Sequence, residues 1–269
     1  MKAPSMMQAD LTQALKTLRL STIRACYQSV ADQARAEDLS YEHYLLEVLG
    51  QECQTRQANR INRYLGDAKL PLEKTLDTFE RRRLSRPLKA LLDTLLEGSF
   101  LDRGENVLAF GNPGSGKTHL LCAVAHELIQ QGRRIRLMPC NLLVQELLLA
   151  KRNLDLARLL KRWDKYDALI LDDIGYVQHS REEMEVLFAL LAHRYERGSV
   201  MITSNLPFSQ WETIFKDPMT TAAAIDRLVH HCIILEMNLP SYRLEASKKQ
   251  RRGTPQGQDK KQAISSLIS

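Results

Sequence analysis

The sequence predicts an α/β protein, a five-stranded parallel sheet flanked by helices, preceded by a small all-helical domain. Three observations carry this. From about Arg103, short apolar runs (NVLAFG, RIRLMP, ALILDD, SVMITSN and CIILEM) alternate with helical patterns. Runs apolar on both faces suit strands covered by helices on both sides of a parallel sheet. Residues 8–70 lack this alternation and read as helices throughout. Beyond Ser247, KKQRRGTPQGQDKKQ is polar, charged and short of apolar anchors, the composition of a disordered tail. The expected divisions are therefore 1–75 for the helical domain, 76–247 for the α/β core and 248–269 for the basic tail.

In chain order, LTQALKTLRL sets Leu11, Leu15 and Leu18 at spacings of four and three, an amphipathic stripe. Ser40, with His43 and Tyr44, opens the longer pattern SYEHYLLEVLGQECQTRQANRINRYL, punctuated at its end by Gly66 and Pro71. On that pattern Arg56, Arg60 and Arg63 share one helix face. The face is either a solvated surface or a row of DNA phosphate contacts. With no interleaved aromatics, such contacts would be salt-sensitive and sequence-tolerant. A second basic cluster (Arg81, Arg82, Arg83, Arg86 and Lys89) stands at the expected domain junction and carries the same two readings. In the core, HLLCAVAHELIQ, NLLVQELLLAKR, EEMEVLFALLAHRYER and AAAIDRLVH supply the helices between strands.

Composition narrows the class. The formal charge is +6, yet between Arg243 and Lys261 seven Lys/Arg face two acids, so the rest of the chain is near neutral. The global basic balance is thus weak evidence for a nucleic-acid partner. Five scattered cysteines without a CxxC fit reduced thiols. No apolar run spans a bilayer and no leader pattern opens the chain, so a soluble, cytoplasmic protein without a membrane partner is expected.

GNPGSGKT is the chemical centre of the sequence. It follows the strand NVLAF and opens the helix HLLCAVAHELI, the context a phosphate-binding loop requires. Gly111, Gly114 and Gly116 let the backbone wrap with N–H groups inward, at a helix N-terminus that already favours anions. The expected nucleotide-binding run is Gly111, Asn112, Pro113, Gly114, Ser115, Gly116, Lys117 and Thr118, with His119 next on the helix. Lys117 supplies charge to the β/γ-phosphates and Thr118 a hydroxyl to Mg²⁺, so ATP and Mg²⁺ are the expected cofactors. ALILDD delivers Asp172 and Asp173 to the carboxyl edge of the sheet, where ligands of open α/β folds bind. Asp172 suits the Mg²⁺ site, whereas Asp173 either polarises an attacking water or caps the turn before Gly175. SVMITSN ends in Ser204 and Asn205, and its amide either reads the γ-phosphate or belongs to the strand exit.

Other residues read as structure. His119, Cys122 and His126 have helical metal spacing but sit on a helix that packs against the sheet. Trp163 and Trp211 read as packing residues, and His230-His231-Cys232 as a helix–strand junction. Arg194 and Arg197 read as a subunit-facing pair or a solvated helix end. In AAAIDRLVHH, Arg227 is either a charge snorkelling off an apolar helix or one held for something outside its own chain.

The run from LDTFERRRLS through ENVLAFGNPGSGKTHLL, YDALILDDIGYV, RYERGSVMITSNLPFSQW, AAIDRLVHH and SYR resembles the IstB family over about residues 8–245. These are AAA+ ATPases encoded beside transposases in bacterial insertion sequences, and relatives of the DnaC helicase loaders. The resemblance implies a P-loop AAA+ core with the sensor strand between the P-loop strand and the acidic-pair strand. It implies an ATP-dependent transposition helper that binds double-stranded DNA, forms a homo-oligomer as ring or helical filament, and presents target DNA to a cognate transposase. By the same resemblance Arg227 is the arginine finger reaching a neighbour's nucleotide, and Arg243 of SYR a second sensor in its own subunit. Few residues follow the last strand, too few for a helical lid, which also favours a site completed by a neighbour. Where many AAA+ proteins carry Asp-Glu, this chain has Asp172-Asp173. The alternatives are a DnaC-like replicative helicase loader and a non-hydrolysing, nucleotide-gated DNA scaffold. A small-molecule kinase lacks an acceptor pocket and a phosphate-clamping lid in the sequence.

Overall fold

A computed structural model describes residues 6–174, 180–211 and 218–242. The chain divides into two compact units, residues 1–67 and 68–269. None of the described helices is long and apolar enough to cross a membrane.

The first unit comprises α1 (Met6–Thr17), α2 (Ser21–Ala36) and α3 (Tyr41–Ala68). Leu15, Ile23, Val30 and Val48 form its core, with Leu20, Cys26, Tyr27 and Tyr44 packed against them. Of the expected leucine stripe only Leu15 turns inward, while Leu11 and Leu18 stay exposed. Ser40 caps α3, its hydroxyl accepting the His43 N–H at 3.3 Å. The helix runs through Gly66 rather than stopping there, since one glycine costs only about 1 kcal/mol in a helix. It ends at Ala68, before Lys69 in a left-handed conformation at φ 57°. Arg19, at φ 56°, closes the α1–α2 turn. The buried Glu52 carboxylate of α3 then accepts the N–H groups of Thr22 at 2.9 Å and Ile23 at 3.1 Å, satisfying orphan donors at the start of α2.

The second unit holds a sheet of β1 (Asn106–Phe110), β2 (Ile135–Pro139), β3 (Ala168–Asp172), β4 (Ser199–Ser204) and β5 (Cys232–Glu236). All pairings are parallel and the order is β2-β3-β4-β1-β5, so β4 lies between the P-loop strand and the acidic strand as the resemblance implies. Helices α4 (Arg86–Glu97), α5 (Ser99–Asp102), α6 (Lys117–Gln130), α7 (Cys140–Arg152), α8 (Leu156–Trp163), α9 (Arg181–Arg194) and α10 (Pro218–Val229) surround it. α9 opens on a reciprocal capping box between Ser180 and Glu183. α4 and α8 were not among the sequence-read core helices. In α8 the signal is the spacing of Leu156, Leu159, Leu160 and Trp163, a short stripe whose last three members are buried. Trp163 and Trp211 are both core residues, as expected.

Arg194 overturns its sequence reading. It is 2% exposed and faces neither solvent nor a partner. Its guanidinium donates to the carbonyls of Trp163, Tyr166, Asp167 and Ser199, bracing the α9–β4 turn against the start of β3. Burial pulls its pKa down from the usual arginine range.

Asn106 fixes the opposite end of the sheet from the P-loop. Its side chain donates to the Leu228 carbonyl at 3.2 Å and accepts the Val200 N–H at 2.9 Å, tying α10 and β4 to the first residue of β1.

Candidate functional site

Three glycines shape the loop 111–116 between β1 and α6. Gly111, Gly114 and Gly116 have φ of 146°, 79° and 99°, conformations that side chains rarely adopt. A Cβ on Gly111 would lie 2.2 Å from the Met237 carbonyl oxygen, because the segment after β5 crosses the loop. That segment is pinned by Met237 N–H to Phe110 O at 2.7 Å and Tyr242 N–H to Gly114 O at 2.9 Å. The Ser115 hydroxyl is buried without a hydrogen-bond partner, an unmet polar group in a loop shaped for phosphate.

Lys117 is only 5% exposed, and its ammonium donates to Gly111 O at 2.8 Å, Asn112 O at 3.0 Å and Asn205 Oδ1 at 2.6 Å. Asn205, at the exit of β4, is thus brought to the P-loop lysine. Thr118 donates to Asp172 Oδ1 at 2.7 Å, joining α6 to the acidic end of β3. Thr203 donates to the same oxygen at 2.7 Å. Asp173 is exposed, and its left-handed backbone at φ 59° turns the chain so that the two acids diverge. A hydroxyl and a carboxylate oxygen meeting beside the loop are the hard donors that fit Mg²⁺.

Beside the loop lies a cavity of about 350 Å³, lined by Gly114, Gly116, Thr118 and His119 on one side and by Thr78, Phe79 and Arg83 on another. Tyr242 and Leu239 also line it. His119 Nε2 is 3.1 Å from Thr78 Oγ1 and from Thr75 O, and its ring meets Phe79 edge-on at 5.3 Å. Arg83 donates to Pro240 O at 2.7 Å and lies 5.6 Å from the Tyr242 ring centroid. Thr78, Phe79 and Tyr242 were not singled out in the sequence, and Arg83 only as part of a basic cluster, because they come from segments far from the motif. The only local sign was the basic cluster, where Arg81 pairs with Asp93 and Arg82 approaches Glu80 at 3.6 Å.

The histidines of α6 have structural partners, and its cysteine is buried. His126 faces the Pro71 carbonyl at 3.3 Å, and burial pushes the Cys122 thiol up to about 12. Cys140 is likewise pushed up to about 12, by burial first and then by Asp173 and Asp172. Neither thiol is a nucleophile at neutral pH.

The structure does not bring Arg227 to this site. Leu228, the next residue, is tied to the start of β1, and the P-loop begins five residues along that strand, roughly 16 Å away. The Arg227 guanidinium instead lies 4.6 Å from the Phe188 ring centroid of α9, with Nη1 buried and lacking a hydrogen-bond partner. Arg243 and Gly175 lie outside the described residues, as does the basic tail. In the first unit, Arg56 donates to Glu52 Oε1 at 2.7 Å and to Arg19 O at 2.8 Å, whereas Arg60 and Arg63 are exposed.

Comparison with known proteins agrees with this geometry. A family model described as IstB-like ATP binding protein matches residues 13–250. An insertion sequence ATP-binding protein of Sinorhizobium fredii is 42% identical over 251 residues, covering 92% of this chain and 84% of that protein. The ATP-binding protein of insertion sequence IS21 from Pseudomonas aeruginosa is 35% identical, covering 89% and 91%. Among solved structures, the DnaC helicase loader superposes with a TM-score of 0.53 at 19% identity, covering 65% of this chain and 98% of the loader. That likeness shows the AAA+ fold.

Proposed function

Since the chain belongs to the family of IstB-like ATP-binding proteins, we propose that it is an ATPase that assembles on double-stranded DNA and delivers that DNA to a transposase of the same insertion sequence. The observation that carries this reading is the convergence of Lys117, Asn205, Thr118 and Asp172 at one edge of the sheet, with Arg227 at the other.

ATP seats its phosphates in the loop 111–118 and its nucleoside in the cavity lined by Phe79 and His119. Lys117 exchanges contacts with backbone carbonyls for contacts with phosphate oxygens, while Asn205 holds its ammonium in line. Thr118 and Asp172 would hold Mg²⁺, which would offset charge on the phosphates. Asp173 orients and deprotonates the attacking water. Arg227, too far from its own P-loop, stabilises transition-state charge in a neighbouring protomer. Because donor and acceptor surfaces lie at opposite sheet edges, such contacts are head-to-tail and generate a ring or a helical filament. Arg60 and Arg63 contact DNA phosphates, with Arg56 sharing that face while holding the α1–α2 turn.

The test is ATP hydrolysis by the full chain across a range of protein concentrations, with and without duplex DNA. Turnover per protomer should rise with both and vanish in Lys117→Ala. Turnover indifferent to concentration and DNA would overturn the shared site. Delivery is tested separately, by ATP-dependent co-purification of the transposase on DNA carrying this protein.

A further inference from the structure

Thr203 is fully buried near the end of β4, where it pairs with Ala109 of β1 and follows the apolar run Val200, Met201, Ile202. A valine would suit a buried strand position equally well by shape. The hydroxyl, however, contacts the Asp172 carboxylate and the Asp173 backbone at the exit of the neighbouring strand. It donates to Asp172 Oδ1 at 2.7 Å and accepts the Asp173 backbone N–H at 2.8 Å. The Thr203 carbonyl then accepts the N–H of Ile174 at 3.1 Å. One residue therefore holds three successive positions at the exit of β3.

These contacts bear on geometry that chemistry would need. Thr118 and Thr203, from α6 and β4, converge on one oxygen of Asp172, so the carboxylate's rotation is set from two elements. Asp173 keeps an uncommon left-handed backbone, and its N–H is held by the Thr203 hydroxyl. Two residues along β4, Asn205 accepts from Lys117. The same strand thus couples the P-loop lysine to the acidic pair.

We propose that Thr203 is a positioning residue of the metal–nucleotide site: its hydroxyl sets the Asp172 carboxylate for Mg²⁺ and the Asp173 backbone turn for the attacking water. This rests on the ATPase reading above. Thr203 acts through the two acids, so losing its hydroxyl affects steps that need Mg²⁺ and spares nucleotide binding through the loop itself.

The experiment compares full-length wild type, Thr203→Val, Thr203→Ser and Lys117→Ala. Affinity for a fluorescent ADP analogue is measured in EDTA and in Mg²⁺, alongside kcat, KM and thermal melting. In EDTA, Thr203→Val should bind the analogue like wild type. In Mg²⁺ it should lose the added affinity, and kcat should fall roughly 10–100-fold, the usual effect of removing a group that orients a metal ligand. Thr203→Ser should recover both, while Lys117→Ala should bind poorly in either buffer. A wild-type Mg²⁺ response in Thr203→Val overturns the role of Thr203 alone, as does a Thr203→Ser protein that melts normally yet is equally impaired. A wild type that gains nothing from Mg²⁺ overturns the metal–nucleotide reading as well. Hydrogen exchange of the wild type serves if the valine variant does not fold. The Asp173 amide should be protected, and exchange at the rate of an exposed loop overturns the contact.

Discussion

Arg227 and Arg194 stand on adjacent helices and hold their charges in opposite ways. Arg194 donates from both terminal nitrogens to four carbonyls, so its charge is held within the fold. Replacing it with lysine removes the fork's geometry and leaves carbonyls unmet. The expected loss is roughly 1–3 kcal/mol in urea unfolding, and an unchanged midpoint would show that the brace contributes nothing. Arg227 rests on Phe188 with a buried nitrogen unpaired, an arrangement in which ring contact only partly offsets lost hydration. A neighbouring phosphate would supply an acceptor once the side chain turns off the ring and out of this burial. Arg227→Ala should therefore keep ATP binding and lose hydrolysis. Turnover should partly return when it is mixed with Lys117→Ala, each protomer lending what the other lacks. No recovery in any mixture, together with lost ATP binding in the single variant, would assign Arg227 to its own subunit.

At the scale of elements, α2 begins where α3 offers a carboxylate. Glu52 is 4% exposed, and burial by itself would raise its pKa. Arg56 and the Thr22 and Ile23 N–H groups outweigh that, holding it below the usual glutamate range. A carboxyl lowered on folding stabilises the native state above its unfolded pKa, and that contribution disappears as pH falls through the folded value. The helices of residues 6–68 should accordingly loosen below about pH 4.5, read as faster amide exchange at Thr22 and Ile23 in the full chain. Glu52→Gln should exchange faster at neutral pH and show little of that acid dependence. If acid sensitivity at these amides is the same in both proteins, Glu52 is not its source. Arg56 takes part in the same tie, so its substitution perturbs the fold of the unit and is a poor probe of DNA contact. Arg60→Ala with Arg63→Ala avoids that confusion.

For the whole molecule, the residues of the phosphate loop were legible because they are contiguous. A backbone that cradles phosphate must be glycine-rich over a few positions, and the lysine and threonine follow at once. The strands were legible for a related reason, since burial on both faces leaves an apolar run in the central strands β1, β3 and β4. The walls of the adjoining cavity were not, because Phe79, Arg83 and Tyr242 meet only through folding of distant segments. Nor was the state of any single arginine. Arg194 and Arg227 look alike along the chain, yet one is buried among carbonyls and the other lies on a ring. By itself, then, the sequence determined the α/β class, the P-loop and the acid of β3 that meets Thr118, all written in local spacing. Tertiary structure alone decided which charges are consumed inside the fold, that Thr203 contacts the Asp172 carboxylate and the Asp173 backbone, and that Arg227 stands a strand's length from its own P-loop. Those outcomes depend on which strands lie side by side, and no short stretch of sequence encodes adjacency.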